Sequence, residues 1–139
     1  SLVSRTSGTT RNLKAVTMSI TNNQRVVVVG EKGTILRTIN GGLNWDNVSI
    51  PDTTFNFNAL SKKSIYYPTD IFVAVGSGGR IFKSTDIGAT WQQKTSGTTN
   101  NLRSVYFHSP DSGVVVGDNG TIRLTTNGGE SWFTNAFFN

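Results

Sequence analysis

The chain has 139 residues, of which 35% are hydrophobic and 15% charged, with 15 glycines, no cysteine and a net charge of +5. This length suits one domain with a real core. The lack of cysteine excludes disulfides, thiolate metal sites and thiol nucleophiles. The apolar runs, such as residues 26–29 and 71–75, are too short to cross a membrane. A composition rich in Thr, Asn and Gly favours many short strands joined by tight turns.

The chain begins with a segment that looks like the end of a later repeat. "SLVSRTSGTT" at residues 1–10 aligns with "TWQQKTSGTT" at residues 90–99, so residues 1–6 predict an orphan fourth strand. A first repeat of about residues 7–50 follows, with the Gly-containing hairpin turn "EKG" between its second and third strands. Its apolar and β-branched runs predict four strands, at residues 12–20, 25–30, 34–38 and 45–50.

The same order of elements recurs twice. The second repeat, about residues 51–95, predicts strands at residues 56–67, 71–76, 80–84 and 91–96. The third repeat, about residues 96–139, predicts strands at residues 101–109, 113–117, 121–125 and 132–139. Four antiparallel strands in about 40–50 residues, repeated, are typical of a β-propeller blade.

All three tryptophans end the same kind of turn: "TINGGLNW" (38–45), "STDIGATW" (84–91) and "TTNGGESW" (125–132). The Asp or Asn side chain is expected to accept backbone hydrogen bonds, the Gly to adopt a conformation that a Cβ disfavours, and the Trp to pack between sheets. Two of the turns carry Asn, which cannot do a carboxylate's proton chemistry, so a structural role is predicted. The residues assigned to it are Thr38, Asn40, Gly42, Trp45, Ser84, Asp86, Gly88, Trp91, Thr125, Asn127, Gly129 and Trp132.

These turns resemble the Asp-box, or BNR, motif S/T-x-D/N-x-G-x-S/T-W. The whole repeat, "SGTT.NL..V.F.....G.VVG..GTI..T..GG.SW", resembles the propeller repeats of the photosystem II stability/assembly factor family over essentially the full chain. The resemblance implies an all-β propeller and a partner met through a basic surface. It leaves the activity open, because Asp-box turns occur in sialidases, sortilin-like receptors, glycan-binding proteins and assembly factors alike.

Three blades are fewer than the four to eight that usually close a propeller. A solitary arc would expose apolar sheet faces at both ends. We therefore expect that copies assemble head to tail, each donating its first strand to a neighbour, for example as a six-bladed dimer. The alternatives are a longer polypeptide that supplies the other blades, or an unusual self-contained arc.

Enzyme activity is not expected from the sequence. Glycoside hydrolysis generally needs two facing carboxylates, and the two glutamates, Glu31 and Glu130, fall in a hairpin turn and an Asp-box turn. His108 has no triad or metal-ligand partner at motif spacing and is expected in an exposed loop. The sequence therefore predicts no catalytic residue, no metal site and no cofactor.

Partner binding has better support. Lys14, Asn58 and Arg103 share one position at the start of the first strand, which lines the central channel in propellers, so a basic collar is predicted there, with Arg11 nearby. Arg37 and Lys83 form a second equivalent set on the third strand. The competing interpretation is that these cations only keep outward strand positions soluble.

The predicted function is a non-catalytic scaffold for protein–protein assembly, with an acidic surface on the partner, or a repeated component of a larger particle or filament. The alternative is a glycan-binding module, with Tyr66, Tyr67, Phe55 and Phe57 as aromatic platforms. Nucleic acid is disfavoured, because no aromatic–basic strip is present. The favoured location is extracytoplasmic, extracellular or virion-associated.

Overall fold

A computed structural model describes residues 3–64 and 70–134, with Ser64 described by its backbone alone. These residues form eleven β-strands in three antiparallel sheets, apart from one short helical turn, Ser77–Gly79. Across these ranges no helix has the length and apolar character needed to span a membrane. The all-β prediction is confirmed, and the first two repeats form the predicted four-stranded sheets. We call the sheets blade 1 (β1–β4), blade 2 (β5–β8) and blade 3 (β9–β11).

The strands pair in sequence order within each blade. Blade 1 contains β1 Leu13–Met18, β2 Val26–Gly30, β3 Ile35–Thr38 and β4 Asp46–Asn47. Blade 2 contains β5 Phe57–Ser64, β6 Asp70–Gly76, β7 Ile81–Ser84 and β8 Gln92–Lys94. Blade 3 contains β9 Leu102–Phe107, β10 Gly113–Gly117 and β11 Thr121–Thr125, with a single bridge from Leu124 to Phe133 in place of a fourth strand among the described residues.

The outermost strands are shorter than predicted, and blade 1 shows why. Ser49 Oγ accepts the hydrogen bond of Ile35 N at 3.0 Å, so a side chain replaces a backbone carbonyl in the ladder. Val48 N still donates to Ile35 O at 3.0 Å, and Ile50 N to Gly33 O at 2.9 Å. The segment therefore stays attached to the blade beyond Asn47, although the regular strand ends there.

The hairpin turns between the second and third strands have the predicted chemistry. Lys32 and Gly33 have φ values of 54° and 66°, and Asn119 and Gly120 have 55° and 67°. Two successive residues with positive φ make a type I′ turn, whose twist matches that of the flanking strands. These turns close β2–β3 and β10–β11 tightly at one end of the blades.

Two hydrophobic cores separate the three blades. The first lies between blades 1 and 2, and the second between blades 2 and 3. Strand β6 serves both cores, because alternate residues of a strand point to opposite faces: Phe72 and Ala74 enter the first core, Val73 and Val75 the second. All seven residues of β6 are buried. The blades therefore stack in the order 1–2–3.

The predicted orphan strand at residues 1–6 is seen only in part. Residues 1–2 lie outside the described ranges, and residues 3–6 take part in no sheet of the described chain. Pairing of this segment with another blade therefore stays a prediction. The last part of the predicted strand 132–139, residues 135–139, also lies outside the described residues.

Candidate functional site

The three Asp-box turns share one hydrogen-bond network. In the third turn, Thr125 Oγ1 accepts from Gly129 N at 2.9 Å, and Asn127 Oδ1 accepts from Ser131 N at 3.0 Å. The central glycine has a φ of 86°, which favours Gly over other residues. The same two bonds occur in the other turns at 2.9–3.0 Å, for the pairs Ser84–Gly88, Asp86–Thr90, Thr38–Gly42 and Asn40–Asn44.

The carboxylate of Asp86 accepts hydrogen bonds from residues of its own turn. Burial alone would raise its pKa, but hydrogen bonds from Thr90 and Ser84 lower the pKa on balance. Its Oδ2 accepts from Thr90 Oγ1 at 2.5 Å, and its Oδ1 accepts from Ser84 Oγ at 2.8 Å. The side chain is therefore ionised at neutral pH, and these hydrogen bonds to it come from its own turn, which suits turn closure better than proton transfer.

Each Asp-box tryptophan belongs to the side of its blade that faces the preceding blade. Trp91 packs against the first core, and its Nε1 donates to Gly88 O at 3.0 Å. Trp132 is 8% exposed in the second core, with its ring 6.0 Å from that of Phe107. Trp45 holds the equivalent position in blade 1, where the described chain has no preceding blade, and it is half-buried.

The predicted basic collar consists of paired groups. Lys14 Nζ lies 3.5 Å from Glu31 of the hairpin turn in its own blade. Arg103 donates from Nε and Nη2 to Asp118 at 2.9 and 3.0 Å, which lowers the pKa of Asp118. Asn58, at the equivalent position, donates to Leu102 O at 2.8 Å and so links blade 2 to blade 3. Partner binding by these three residues stays a prediction.

The second predicted set lies between blades. Arg37 Nη1 donates at 3.3 Å to Ile87 O, in the Asp-box turn of blade 2. Lys83, whose side chain is 6% exposed, pairs with Glu130 in the Asp-box turn of blade 3. Lys94 Nζ contacts the same carboxylate at 2.7 Å, and hydrogen bonds from the two lysines lower the pKa of Glu130 to about 2. Arg37 and Lys83 thus join the third strands of blades 1 and 2 to the following blade, and Lys94 adds a contact from β8.

Arg11 and Lys32 are different, because both carry a charge without a carboxylate partner. Arg11 Nη1 donates to Lys32 O at 3.1 Å and to Thr34 Oγ1 at 3.4 Å. Among the described residues, neither cation has a carboxylate within 4 Å. Lys32 was not selected from the sequence. Its place beside Arg11 depends on how the loop before β1 folds over the turn.

These cations belong to a surface that we call the hairpin-turn face. It consists of the turns at residues 31–34, 77–80 and 118–121 and the adjoining segments at 6–12, 48–56 and 95–101, which hydrogen-bond to those turns. Six cations and three carboxylates have their charged groups on it, which gives a net charge of +3. They are Arg11, Lys14, Lys32, Arg80, Arg103 and Arg123, with Glu31, Asp52 and Asp118.

An open, polar groove of about 750 Å³ crosses this face between blades 2 and 3. It is lined by Gly78, Gly79 and residues 93–100. Arg123 supports the groove, since its Nε and Nη2 donate to Ser96 O and Gly97 O at 3.0 and 3.1 Å. Hydroxyl, amide and backbone groups dominate the lining, so the groove can exchange hydrogen bonds with an extended main chain.

Of the four aromatic residues proposed as platforms for glycan binding, the two that the structure describes are not on the surface. Phe55 and Phe57 are 1% and 0% exposed, because they pack edge to face in the first core. Their assignment as platforms was wrong: apolar residues that flank a strand start face the neighbouring blade in this stack. Tyr66 and Tyr67 lie outside the described residues.

The described residues contain no cluster of three or more His, Cys, Asp or Glu side chains able to hold a metal ion. His108 is exposed in the loop after β9, where its backbone N donates to Ser112 O at 3.0 Å. Three carboxylates of the described chain form ion pairs: Glu31 with Lys14, Asp118 with Arg103, and Glu130 with Lys83.

Comparison with known proteins identifies relatives of this fold. The model of the family described as photosynthesis system II assembly factor YCF48 matches residues 49–126. The photosystem II assembly protein Ycf48 of Synechococcus sp. (strain JA-3-3Ab) is 31% identical over 80 residues, which are 56% of this chain and 23% of that protein. The chain thus spans about a quarter of the length of this curated relative.

Solved structures agree on the fold. YCF48 from Cyanidioschyzon merolae has a TM-score of 0.75 at 22% identity, covering 91% of this chain and 40% of that one. A structure of YCF48 bound to D1 peptide has a TM-score of 0.72 at 20% identity, covering 91% and 41%. An ancestral GH74 enzyme has a TM-score of 0.69 at 21% identity, covering 87% and 18%. The blades are therefore those of a β-propeller, shared by assembly factors and enzymes.

Proposed function

Because the chain belongs to the photosynthesis system II assembly factor YCF48 family, we propose that it is a non-catalytic module that binds a segment of a partner protein during assembly. The observation that carries this proposal is the excess of positive charge on the hairpin-turn face, which comes from three cations without a carboxylate partner: Arg11, Lys32 and Arg123. Arg11 and Lys32 lie side by side. Charges of this kind steer and orient an acidic partner more than they add raw affinity.

The geometry supports binding of an extended segment. The groove between blades 2 and 3 offers hydroxyl, amide and backbone groups to a peptide main chain, while the cations beside it attract carboxylates. A related structure, YCF48 bound to D1 peptide, contains a peptide ligand. An acidic, extended protein segment is the partner that this combination suits best.

The acids of the described chain support a role without catalysis. Glu130, with a pKa of about 2, is held ionised by two lysines. The pKa of Glu31 is lowered by hydrogen bonding to Asn12 and by Lys14, and that of Asp118 by Arg103. A general acid must hold a proton near neutral pH, and these groups do the opposite.

Binding of a fluorescein-labelled D1 peptide, measured by fluorescence anisotropy, tests the proposal. We expect the Arg11→Gln/Lys32→Gln double variant to weaken binding about tenfold, or about 1.4 kcal/mol, with a smaller loss in high salt. Lys62→Gln is the control for each single variant, Arg11→Gln and Lys32→Gln, because it also removes one cation, but at the far end of β5, where Lys62 Nζ donates to Met18 O. Equal losses in Lys62→Gln and the single variants, or no binding by the wild type, would contradict the proposal.

A further inference from the structure

Asparagine followed by glycine occurs three times in the chain, at residues 40–41, 119–120 and 127–128. This pair is chemically labile, because glycine has no side chain to hinder attack of its backbone nitrogen on the side-chain carbonyl carbon of the asparagine. The attack needs a glycine N–H that is not held in a hydrogen bond and an asparagine amide that can turn towards it. The structure meets these two conditions differently at the three places.

The glycine nitrogens of the two Asp-box pairs are held by backbone hydrogen bonds. Gly41 N donates to Gln24 O at 2.9 Å, and Gly128 N donates to Asp111 O at 2.8 Å. Gly128 is also buried. Each nitrogen must therefore leave a carbonyl acceptor before it can attack the preceding side chain.

The asparagine side chains of these two pairs are also fixed. Oδ1 of Asn127 accepts from Ser131 N at 3.0 Å and from Thr125 Oγ1 at 2.9 Å, and its Nδ2 donates to Ser131 Oγ at 2.8 Å. Asn40 accepts from the equivalent residues at 3.0 and 2.9 Å. Reaction at either place requires that the turn open first, which slows the reaction by the fraction of time that the turn is open.

The third pair, at the tip of the β10–β11 hairpin, lacks this protection. Asn119 and Gly120 are both exposed. In the described chain, Gly120 N has no hydrogen-bond acceptor. The Asn119 side chain makes one hydrogen bond, from Nδ2 to Asn100 Oδ1 at 3.2 Å. An exposed turn tip with a single long side-chain bond opens at little cost in free energy.

We propose that Asn119 is a deamidation site, at which the hairpin-turn face loses a neutral amide and gains a carboxylate. Gly120 N bonds to Cγ of Asn119 while the Cγ–Nδ2 bond breaks, and the proton of Gly120 N leaves with Nδ2 as ammonia. Water then opens the succinimide ring. Opening at Cγ gives aspartate, and opening at the backbone carbonyl gives isoaspartate. The net reaction consumes one water and releases one ammonia, with no oxidant or reductant.

The new carboxylate lies beside the groove between blades 2 and 3, because Asn119 contacts the groove residue Asn100. It cannot donate to Asn100 Oδ1, and that amide is held in orientation, since Asn100 Nδ2 donates to Thr121 Oγ1 at 2.9 Å. The nearby Arg103 is already paired with Asp118. The net charge of the hairpin-turn face falls by one, from +3 to +2. The consequence for binding rests on the proposed function: an acidic segment is held less tightly as the protein ages.

Peptide mapping by mass spectrometry, during incubation of the folded protein at mildly alkaline pH, tests the site. We expect Asn119 to gain one mass unit about tenfold faster than Asn40 and Asn127, because only the latter two need their turns to open. In urea that unfolds the chain, all three pairs should react at similar rates, so this control separates protection by the fold from intrinsic reactivity. Equal rates in the folded protein, or a preference for Asn119 that persists in urea, overturn the proposal.

The effect on the partner is measured with Asn119→Asp, which has the aspartate product permanently. We expect its affinity for the fluorescein-labelled D1 peptide to fall about threefold at low salt, with a smaller difference at high salt. Asn119→Gln is the matched control, because it keeps a neutral amide. Equal affinities of the Asp and Gln variants overturn the weakening of partner binding. Absence of binding by the wild type contradicts the proposed function instead, and the mass measurement still decides whether Asn119 is modified.

Discussion

Replacing the same isoleucine in two blades should have very different costs. Ile81→Ala removes three carbons from a side chain that is 0% exposed in the second core. At about 0.8 kcal/mol per buried methylene, the transfer loss is about 2.4 kcal/mol, and the cavity raises the total to about 3–4 kcal/mol. Ile122→Ala acts on a side chain that is 46% exposed, so we expect about 1 kcal/mol and no cavity.

Urea unfolding followed by tryptophan fluorescence measures both losses. The comparison is made at about 1 µM protein or below, where mass action favours single chains. Ile35→Ala serves as a control, since its side chain is also fully buried, in the first core. Equal losses for Ile81→Ala and Ile122→Ala in the monomer would refute the stacking order and the equivalence of the repeats.

Three further perturbations address the junctions and the turns. Glu130→Gln should destabilise the fold by about 1 kcal/mol at pH 7, which is less than the full pKa shift would give because the side chain is half exposed. The pKa of Glu130 is lowered from 4.5 to about 2 in the folded state, so the difference from wild type should persist above about pH 5 and vanish as the pH falls towards 2. A pH-independent difference in urea midpoints would contradict this. Gly88→Ala should lower the free energy of unfolding by about 1–2 kcal/mol more than Gly42→Ala, measured by thermal or urea unfolding. Both glycines have positive φ, but only at Gly88 would the new Cβ lie 2.9 Å from Val27 Cγ2. Equal losses would argue against close packing there. Thr125→Val should lower the free energy of unfolding by about 1–3 kcal/mol, because it leaves the buried Gly129 N–H without its acceptor. Thr125→Ser has the residue found at the equivalent position Ser84 and should stay near wild type. A Ser variant as unstable as the Val variant would assign the effect to the lost methyl group.

The elements of the fold were readable because their signals are local. The apolar run at residues 26–29 and its two repeats predicted β2, β6 and β10. The "EKG" turn predicted the β2–β3 hairpin, in which Lys32 and Gly33 have positive φ. The Asp-box bonds, such as Thr125 to Gly129, join residues four apart. A spacing this short leaves the chain few other conformations.

The candidate site was only partly readable, because charged residues acquire their partners through stacking. Arg37 and Lys83 were predicted to face a partner, and they contact Ile87 and Glu130 across 50 and 47 residues of sequence. The sequence did not single out Lys32, because its place beside Arg11 depends on the tertiary fold. Phe55 looked available for a ligand and is buried in the first core.

The sequence by itself determined the strands, the turns and the number of repeats, since periodicity and turn chemistry act over a few residues. Only the tertiary structure decided which faces are covered. Ile81 and Ile122 occupy the same place in equivalent strands, and in the described chain one is enclosed while the other is open. The physical reason is that a β-sheet has two equivalent-looking faces, and burial depends on the neighbour that each face meets.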